Sequence, residues 1–275
     1  MANRPSITDM EPRRRRLPAG GGFSLTRHES MNTHQNKIAL VTGATRGIGL
    51  ETVRQLAQAG VHTLLAGRKR ETAVELALKL QAEGLPVEAL QLDVTDAASI
   101  AEAVEQVRQR HGRLDILVNN AGIMIENPAQ APSEQSLETW KRTFDTNVYA
   151  LVAVTQAFLP LIRQAKSGRI VNVSSMLGSQ TLHADPTSGI YDFKIPAYNA
   201  SKAAVNSWTL SLAYELRNTP IKVNTVHPGY VKTDMNGGNG EIEISEGARS
   251  SVEMALIGES GASGSFTYLG EVLPW

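Results

Sequence analysis

Tyr198 and Lys202 stand four residues apart in the sequence. In a helix this separation puts the two side chains on one face, a single turn apart. A phenol with a pKa of about 10 is a poor acid or base at neutral pH, and an ammonium group one turn away lowers that pKa toward the range where acid–base catalysis works. The pair could therefore exchange a proton with the oxygen of a carbonyl or an alcohol. Many helices carry such a pair by chance, so other motifs must support the interpretation.

Two serines, Ser174 and Ser175, directly follow a predicted strand, Arg169–Val173. A serine hydroxyl that faces the tyrosine could polarise and orient the oxygen of a substrate. Because strand residues alternate between the two faces of a sheet, only one of the two hydroxyls can face the same cleft. The alternation by itself leaves the choice between them open.

A glycine-rich turn, Thr42–Gly49, links the first predicted strand, Ile38–Thr42, to the first predicted helix, Ile48–Ala59. Glycines allow a sharp turn and a close approach of the backbone to a pyrophosphate, and the helix start offers unpaired N–H groups to its negative charge. This position is typical of dinucleotide binding, although glycines also occur in purely structural turns. The predicted dinucleotide contacts in the turn are Gly43, Thr45, Arg46, Gly47, Ile48 and Gly49.

The second predicted strand, His62–Ala66, is followed by a cationic sequence, Arg68–Arg70. A carboxylate at this point would hold the ribose hydroxyls of NAD, whereas a guanidinium forms paired, charged hydrogen bonds with the 2′-phosphate of NADP. Arg68, together with Arg46 from the glycine-rich turn, therefore predicts NADP(H) as the cofactor. The alternative is a solvated basic turn that binds no ligand.

The elements that must position these side chains alternate along the chain from Lys37 onward. Short apolar runs that suit buried strands are separated by segments with a helical pattern. This order predicts parallel strands joined by right-handed crossovers, with helices on both faces of the sheet. The predicted fold class is α/β: a single Rossmann-type, doubly wound domain over residues 37–275 with a mostly seven-stranded parallel sheet. One predicted helix, Leu137–Ala165, should break or bend near Pro160.

The charge balance excludes some classes of partner. The 275-residue chain has 27 basic and 27 acidic side chains, hence no net charge. Residues 1–36, with six arginines, three acidic residues and several glycines, are predicted to be a disordered basic tail. We expect no nucleic-acid or membrane partner, because the net charge is zero and the apolar runs fall short of the roughly 18 residues of a membrane span. A cytoplasmic location is expected, since no targeting signal is recognisable.

Metal and thiol chemistry are not predicted. The chain contains no cysteine, which excludes disulfides, thiol nucleophiles and cysteine-ligated metals. The histidines show no spacing typical of metal ligands, so no metal site is expected; those considered are His62, His111, His183 and His227.

Several motifs occur together in one order along the chain: Thr42–Gly49, Asn119–Gly122, Asn147, Ser175, the Tyr198/Lys202 pair and Pro228-Gly229. From about Lys37 to Trp275 the chain resembles the short-chain dehydrogenase/reductase family, and within it the NADPH-dependent carbonyl reductases. The resemblance implies an oxidoreductase that reduces a hydrophobic ketone, aldehyde or quinone carbonyl to an alcohol by reversible hydride transfer.

The resemblance also implies roles for the motif residues. Tyr198 would be the proton donor or acceptor, and Ser175, in preference to Ser174, would steady the carbonyl. Lys202 would bind the nicotinamide ribose and lower the tyrosine pKa, and Asn147 would hold a water in a proton relay. The remaining cofactor contacts would be Asp93, Val94, Asn120, Gly122, Pro228, Gly229 and Thr233.

The chain departs from the family in the interval between Ser175 and Tyr198, which is longer than the usual spacing. Longer segments here resemble those of monomeric carbonyl reductases, so a monomer or homodimer is expected rather than a tetramer. Residues 176–197 and the glycine-rich residues 230–250 should form two loops over the substrate. The alternative function is a non-catalytic protein that binds NADP(H) as a sensor or scaffold, which would not need the complete proton relay.

Overall fold

The computed structural model describes residues 34–275, so the predicted disordered tail lies, apart from residues 34–36, outside the described residues. Within these described residues, eight strands form one sheet. In chain order they are β1 (Ile38–Val41), β2 (His62–Gly67), β3 (Val87–Gln91), β4 (Ile116–Asn119), β5 (Arg169–Val173), β6 (Lys222–Val226), β7 (Phe266–Tyr268) and β8 (Glu271–Val272). Across the sheet their order is β3-β2-β1-β4-β5-β6-β7-β8.

The strands from β1 to β7 pair in parallel, which confirms the predicted Rossmann-type sheet. The short strand β8 was not predicted, and it adds an antiparallel edge to β7. The turn between β7 and β8 contains Leu269 and Gly270 at φ values of 45° and 81°. Left-handed residues of this kind match the twist of a two-residue hairpin, which explains why the chain can reverse here.

Helices cover both faces of the sheet. They are α1 (Gly47–Gln58), α2 (Arg70–Ala82), α3 (Ala97–His111), α4 (Leu137–Phe144), α5 (Ala150–Ile162), α6 (Gln180–Ala184), α7 (Pro196–Glu215), α8 (Ile244–Gly247) and α9 (Arg249–Ala255). One apolar core lies between the sheet and α3, α5 and α7, and a second between the sheet and α1, α2 and α9. Since strand residues alternate in direction, Leu40 and Leu64 enter the first core while Val41 and Leu65 enter the second.

The long helix predicted over Leu137–Ala165 is interrupted near its middle, and the expected break at Pro160 is wrong. Residues Asp145–Tyr149 form a π-helical turn between α4 and α5, and Pro160 lies inside α5. A π-helical turn widens the helix locally and often accompanies a functional site. Here it contains Asn147, one of the predicted site residues.

By length and composition alone, the helical run Leu137–Ile162 could cross a membrane, which corrects the expectation that no segment reaches that length. Its second part, α5, packs inside the protein, because Val154, Phe158 and Ile162 are fully buried in the core beside the sheet, whereas Leu137 and Tyr149 are exposed. Helix α5 therefore has the packing of a core helix.

Candidate active site

The carboxyl ends of the parallel strands meet at one edge of the sheet, and the glycine-rich turn leaves β1 at this edge. Gly43 has a φ of 61°, and a side chain on it would come within 2.9 Å of the Ala121 backbone. A side chain on Gly49 would collide with the Asn120 amide. Both positions therefore need glycine, and α1 begins beside them at Gly47.

Asn120 ties the glycine-rich turn to the loop after β4. Its amide donates to the carbonyls of Thr42 and Gly43 at 2.9 and 3.2 Å. The Thr42 hydroxyl in turn accepts from the backbone N–H groups of Asn120 and Ala121. The hydrogen bonds from the loop after β4 thus fix the conformation of the turn, while Gly43 remains exposed. The accessible backbone of Gly43 could contact a pyrophosphate.

The two arginines predicted to bind a phosphate are both exposed near the end of β2. Arg68 directly follows Gly67, the last residue of β2, and a side chain on Gly67 would collide with Thr45 of the glycine-rich turn. Arg46 pairs with Asp234, Nη1 to Oδ2, at 3.1 Å. Both side chains of this pair are about three-quarters exposed, so the pair contributes little to stability and an incoming anion could replace it.

Other predicted cofactor contacts lie around the same edge. Asp93 follows β3, and its carboxylate accepts two hydrogen bonds within its own turn. Thr233 lies opposite the start of α1, since a side chain on Gly47 would be 3.8 Å from the Thr233 methyl group. The others in the loops after β3 and β6 are Val94, Pro228 and Gly229. Their contacts with a cofactor remain a prediction.

Tyr198 and Lys202 lie in the first turns of α7, and both are buried. Ser175, which follows β5, lies close enough to the Tyr198 side chain to lower its pKa. The Lys202 ammonium lies 5.6 Å from the centre of the Tyr198 ring and donates to the Val173 carbonyl at 2.8 Å. A phenol, an ammonium and a serine hydroxyl therefore meet at the end of β5.

The two serines after β5 point to different partners. The Ser174 hydroxyl donates to the Lys202 carbonyl at 3.2 Å and so faces the backbone of α7. Ser175 faces Tyr198, and its oxygen also accepts from the Leu177 N–H at 3.2 Å. Of the two hydroxyls, that of Ser175 is the one that affects the pKa of the phenol.

Asn147 is held in the π-helical turn through both ends of its amide. The oxygen accepts from the Ile123 N–H at 2.8 Å, and the nitrogen donates to the Ile123 carbonyl and the Ser201 hydroxyl at 2.9 and 3.1 Å. Gly122 lies close to this amide and to the ammonium, since a side chain there would come 3.3 Å from the Asn147 oxygen and 3.6 Å from Lys202 Nζ. Asn147 thus joins the loop after β4 to α7 next to the lysine.

In a comparison with known proteins, residues 37–243 match the family described as short chain dehydrogenase. The chain belongs to the short-chain dehydrogenase family. Its relatives include the (+)-neomenthol dehydrogenase of Capsicum annuum, which is 32% identical over 87% of this chain and 98% of that protein. Membership makes the chain an oxidoreductase that uses a nicotinamide cofactor and acts on small molecules.

Two solved structures of short-chain dehydrogenases illustrate the similarity. The NADPH-bound carbonyl reductase from chicken fatty liver is 31% identical with a TM-score of 0.75, covering 88% of this chain and all of that one. A gluconate 5-dehydrogenase from Burkholderia cenocepacia, in complex with NADP and tartrate, is 27% identical with a TM-score of 0.71, covering 86% and 94%. The predicted resemblance to carbonyl reductases is confirmed.

Burial determines the proton affinities of the central pair in this short-chain dehydrogenase. It raises the pKa of Tyr198 to about 12, although the hydrogen bond with Ser175 lowers it in part. It also lowers the pKa of Lys202 to about 8. In this arrangement the ammonium donates to the Val173 carbonyl, and the expected lowering of the tyrosine pKa by the lysine stays a prediction.

Glu126, in the loop after β4, is a site residue that sequence reasoning missed. Its two carboxylate oxygens accept from the backbone N–H groups of Ala197 and Tyr198 at 2.8 and 2.6 Å. These groups lie in the first turn of α7, and Ile195 before the helix supplies no side-chain cap. The carboxylate caps the helix from 71 residues away and places a negative charge at its positive end. No pattern of neighbouring residues in the sequence predicts such a contact.

Replacing Glu126 by alanine should lower the free energy of unfolding by about 1–2 kcal/mol, because two N–H groups at the start of α7 lose their acceptor. Urea denaturation would measure the loss, and hydrogen exchange at the Ala197 and Tyr198 amides should become faster. Glu134→Ala is the matched control, since that carboxylate accepts one N–H, of Ala131, in an exposed turn. Unchanged exchange at both α7 amides in Glu126→Ala would contradict the capping role.

Proposed function

We propose that this short-chain dehydrogenase is an NADPH-dependent carbonyl reductase that converts a hydrophobic ketone, aldehyde or quinone carbonyl reversibly to an alcohol. The proposal rests on the placement of Ser175 beside Tyr198, with Lys202 one helical turn away, at the edge of the sheet where the glycine-rich turn also lies. A phenol and a serine hydroxyl placed side by side can both interact with one substrate oxygen. The phenol would act as proton donor and the serine as hydrogen-bond donor.

The residues present fit NADP(H). The glycine-rich turn would take the pyrophosphate on its accessible backbone, and Arg68 with Arg46 would hold the 2′-phosphate. The NADPH and NADP bound in the two similar structures support this choice over NAD. When bound, NADPH supplies the hydride. The other residues proposed to contact it are Gly43, Thr45, Gly47, Ile48, Gly49, Asp93, Val94, Asn120, Gly122, Tyr198, Lys202, Pro228, Gly229 and Thr233.

Tyr198 would be the proton donor in the reductive direction. Its raised pKa keeps the hydroxyl protonated at neutral pH, so a proton is available for the developing alkoxide while Ser175 holds the same oxygen. In the reverse direction Tyr198 must lose its proton. An ammonium of Lys202 turned from the Val173 carbonyl toward the phenol would lower the pKa as that step requires. Asn147, close to this ammonium, would hold a water that links Lys202 to solvent as a proton relay.

Two loops would form the substrate pocket, residues 176–197 and 230–250. The first begins directly after Ser175 and contributes Met176 and Leu177, and the second contributes Tyr230. Apolar side chains of this kind suit a carbonyl compound with a hydrophobic body.

A monomer or homodimer is the proposed assembly. The long segment before α7 buries its own apolar side chains, Ile190 and Ile195, against the rest of the chain. This packing is internal and so needs no second subunit. Light scattering that gives a tetramer would contradict the proposal.

Tyr198→Phe keeps the ring and removes the hydroxyl, so it should lower kcat by about 10²- to 10⁴-fold while the Kd for NADPH changes little. The measurement is NADPH consumption over a panel of ketones, aldehydes and quinones. Tyr214→Phe is the matched control, because this tyrosine lies on the same helix but is exposed, and it should keep full turnover. Full turnover by Tyr198→Phe would refute the mechanism. Tight NADPH binding by the unmodified chain without turnover of any carbonyl would favour the sensor or scaffold.

The two serines after β5 offer a second matched pair. Ser175→Ala removes the hydroxyl that touches Tyr198 and should lower kcat by about 10²-fold or more. Ser174→Ala removes only a hydrogen bond to the backbone of α7 and should cost about 1 kcal/mol of stability with kcat nearly unchanged. Equal losses of kcat in both variants would show that the contact with Tyr198 does not distinguish them.

Arg68→Ser should weaken NADPH binding by about 10- to 100-fold and leave NADH binding nearly unchanged, because a charged hydrogen bond to the 2′-phosphate is lost. Titration of both cofactors by tryptophan fluorescence or calorimetry would measure the ratio. Arg108→Ser is the control, since Arg108 lies near the far end of α3 and pairs with Glu105. A ratio of NADPH to NADH affinity that stays the same in Arg68→Ser would contradict the phosphate assignment.

A further inference from the structure

Three side chains with metal-binding atoms converge at the amino edge of the sheet, opposite the edge that carries Tyr198. His62 is the first residue of β2, Glu88 lies in β3 and His111 is the last residue of α3. Their ligand atoms all lie within 4.8 Å of one another. The Nε2 atoms of His62 and His111 are 3.3 and 3.2 Å from the same carboxylate oxygen, Oε2 of Glu88.

The fold itself brings the three residues together. His62 stands two residues before Leu64 and Glu88 two before Leu90, so each extends the face of its strand that enters the first apolar core. The parallel register that pairs Leu64 with Glu88 keeps the two strands aligned. His111 follows Val107 by four residues and extends the buried stripe of α3 that packs on this face. Core packing of all three elements therefore positions the cluster.

Two of the three separations between ligand atoms have the values expected in a tetrahedral metal site. Zinc binds histidine nitrogen and carboxylate oxygen at about 2.0–2.1 Å, which puts neighbouring ligand atoms about 3.3–3.4 Å apart in a tetrahedron. The two separations between histidine nitrogen and Glu88 oxygen agree with that value and are long for charged hydrogen bonds. Two histidines and one carboxylate form a zinc ligand set that leaves a fourth position for water. That position would face an open cleft of about 710 Å³ lined in part by His62 and His111.

The surroundings orient the carboxylate and limit the repulsion of a cation. Arg110 binds the other oxygen of Glu88, Oε1, so Oε2 is the oxygen turned toward the histidines. Supporting contacts of this kind are typical of ligating carboxylates. The second arginine of the cleft, Arg113, pairs with Asp115 at 3.1 Å. Arg113 is thus matched by Asp115, while Arg110 shares the charge of Glu88 with the ion.

We propose that His62, Glu88 and His111 bind a zinc ion that joins β2, β3 and α3 at the amino edge of the sheet. The expectation of no metal site rested on separations along the chain, and packing brings the three residues together regardless of those separations. The site lies at the opposite edge from Tyr198, so it takes no part in hydride transfer.

The experiment is a calorimetric titration of Zn²⁺ into the tag-free full chain after treatment with EDTA and removal of the chelator. One zinc per chain should bind saturably, and a free zinc concentration about 100 times Kd should raise the thermal midpoint by about 5–10 °C. His62→Ala and His111→Ala should each weaken binding by at least about 100-fold. His183→Ala, which removes a histidine in α6 outside the cluster, should bind zinc like the unmodified chain.

Two further measurements keep the result unambiguous. NADPH binding and far-ultraviolet circular dichroism would confirm that each variant is folded, and cobalt(II) in place of zinc should give the intense visible bands of a four-coordinate ion. Absence of saturable zinc binding by the folded unmodified chain would overturn the proposal. Zinc binding that is retained in both His62→Ala and His111→Ala would also overturn the proposal. Because these readouts do not depend on turnover, their failure would leave the proposed reductase activity untouched.

Discussion

The docking of α7 against the end of β5 is the contact on which the rest of the active site depends. Lys202 makes this contact twice, since its ammonium donates to the Val173 carbonyl and its own carbonyl accepts from the Ser174 hydroxyl. A side chain on Gly178 would come within 2.8 Å of the Lys202 backbone, so helix and loop touch directly. With α7 held here, the Tyr198 phenol meets the serine hydroxyl after β5, and the ammonium lies one turn further along the same face.

Burial gives this contact both its rigidity and its chemistry. Polar groups removed from water must find hydrogen-bond partners, so the Asn147 amide, the Lys202 ammonium and the N–H groups at the start of α7 are each paired. The same loss of water disfavours charge, which raises the pKa of Tyr198 to about 12 and lowers that of Lys202 to about 8. Geometry and proton affinity in the site therefore have one cause. A phenol that keeps its proton suits the reductive direction of the proposed reaction.

Local patterns predicted much of the fold and part of the site. The bounds of β5 agree with the predicted ones, and those of β1, α1 and β2 differ by one residue, because a short apolar run or an amphipathic stretch between turn residues is a signal carried by neighbouring positions. The Tyr198/Lys202 pair and the glycine-rich turn were recognisable for the same reason, since each depends on the geometry of one turn. The predicted helix break near Pro160 was wrong. A proline lowers helix propensity locally, but α5 accommodates this one within the helix.

The sequence by itself determined the alternation of strands and helices, the turn that can approach a dinucleotide, and the tyrosine and lysine on one helical face. Only the tertiary structure decided which serine touches the phenol, that a π-helical turn holds Asn147, and that Glu126 caps α7. It also decided that the two histidines and the carboxylate at the amino edge converge. The physical reason is that hydrogen bonds and ligand sets join whichever groups packing brings within about 3 Å. Separations of tens of residues along the chain leave no period from which such contacts could be inferred.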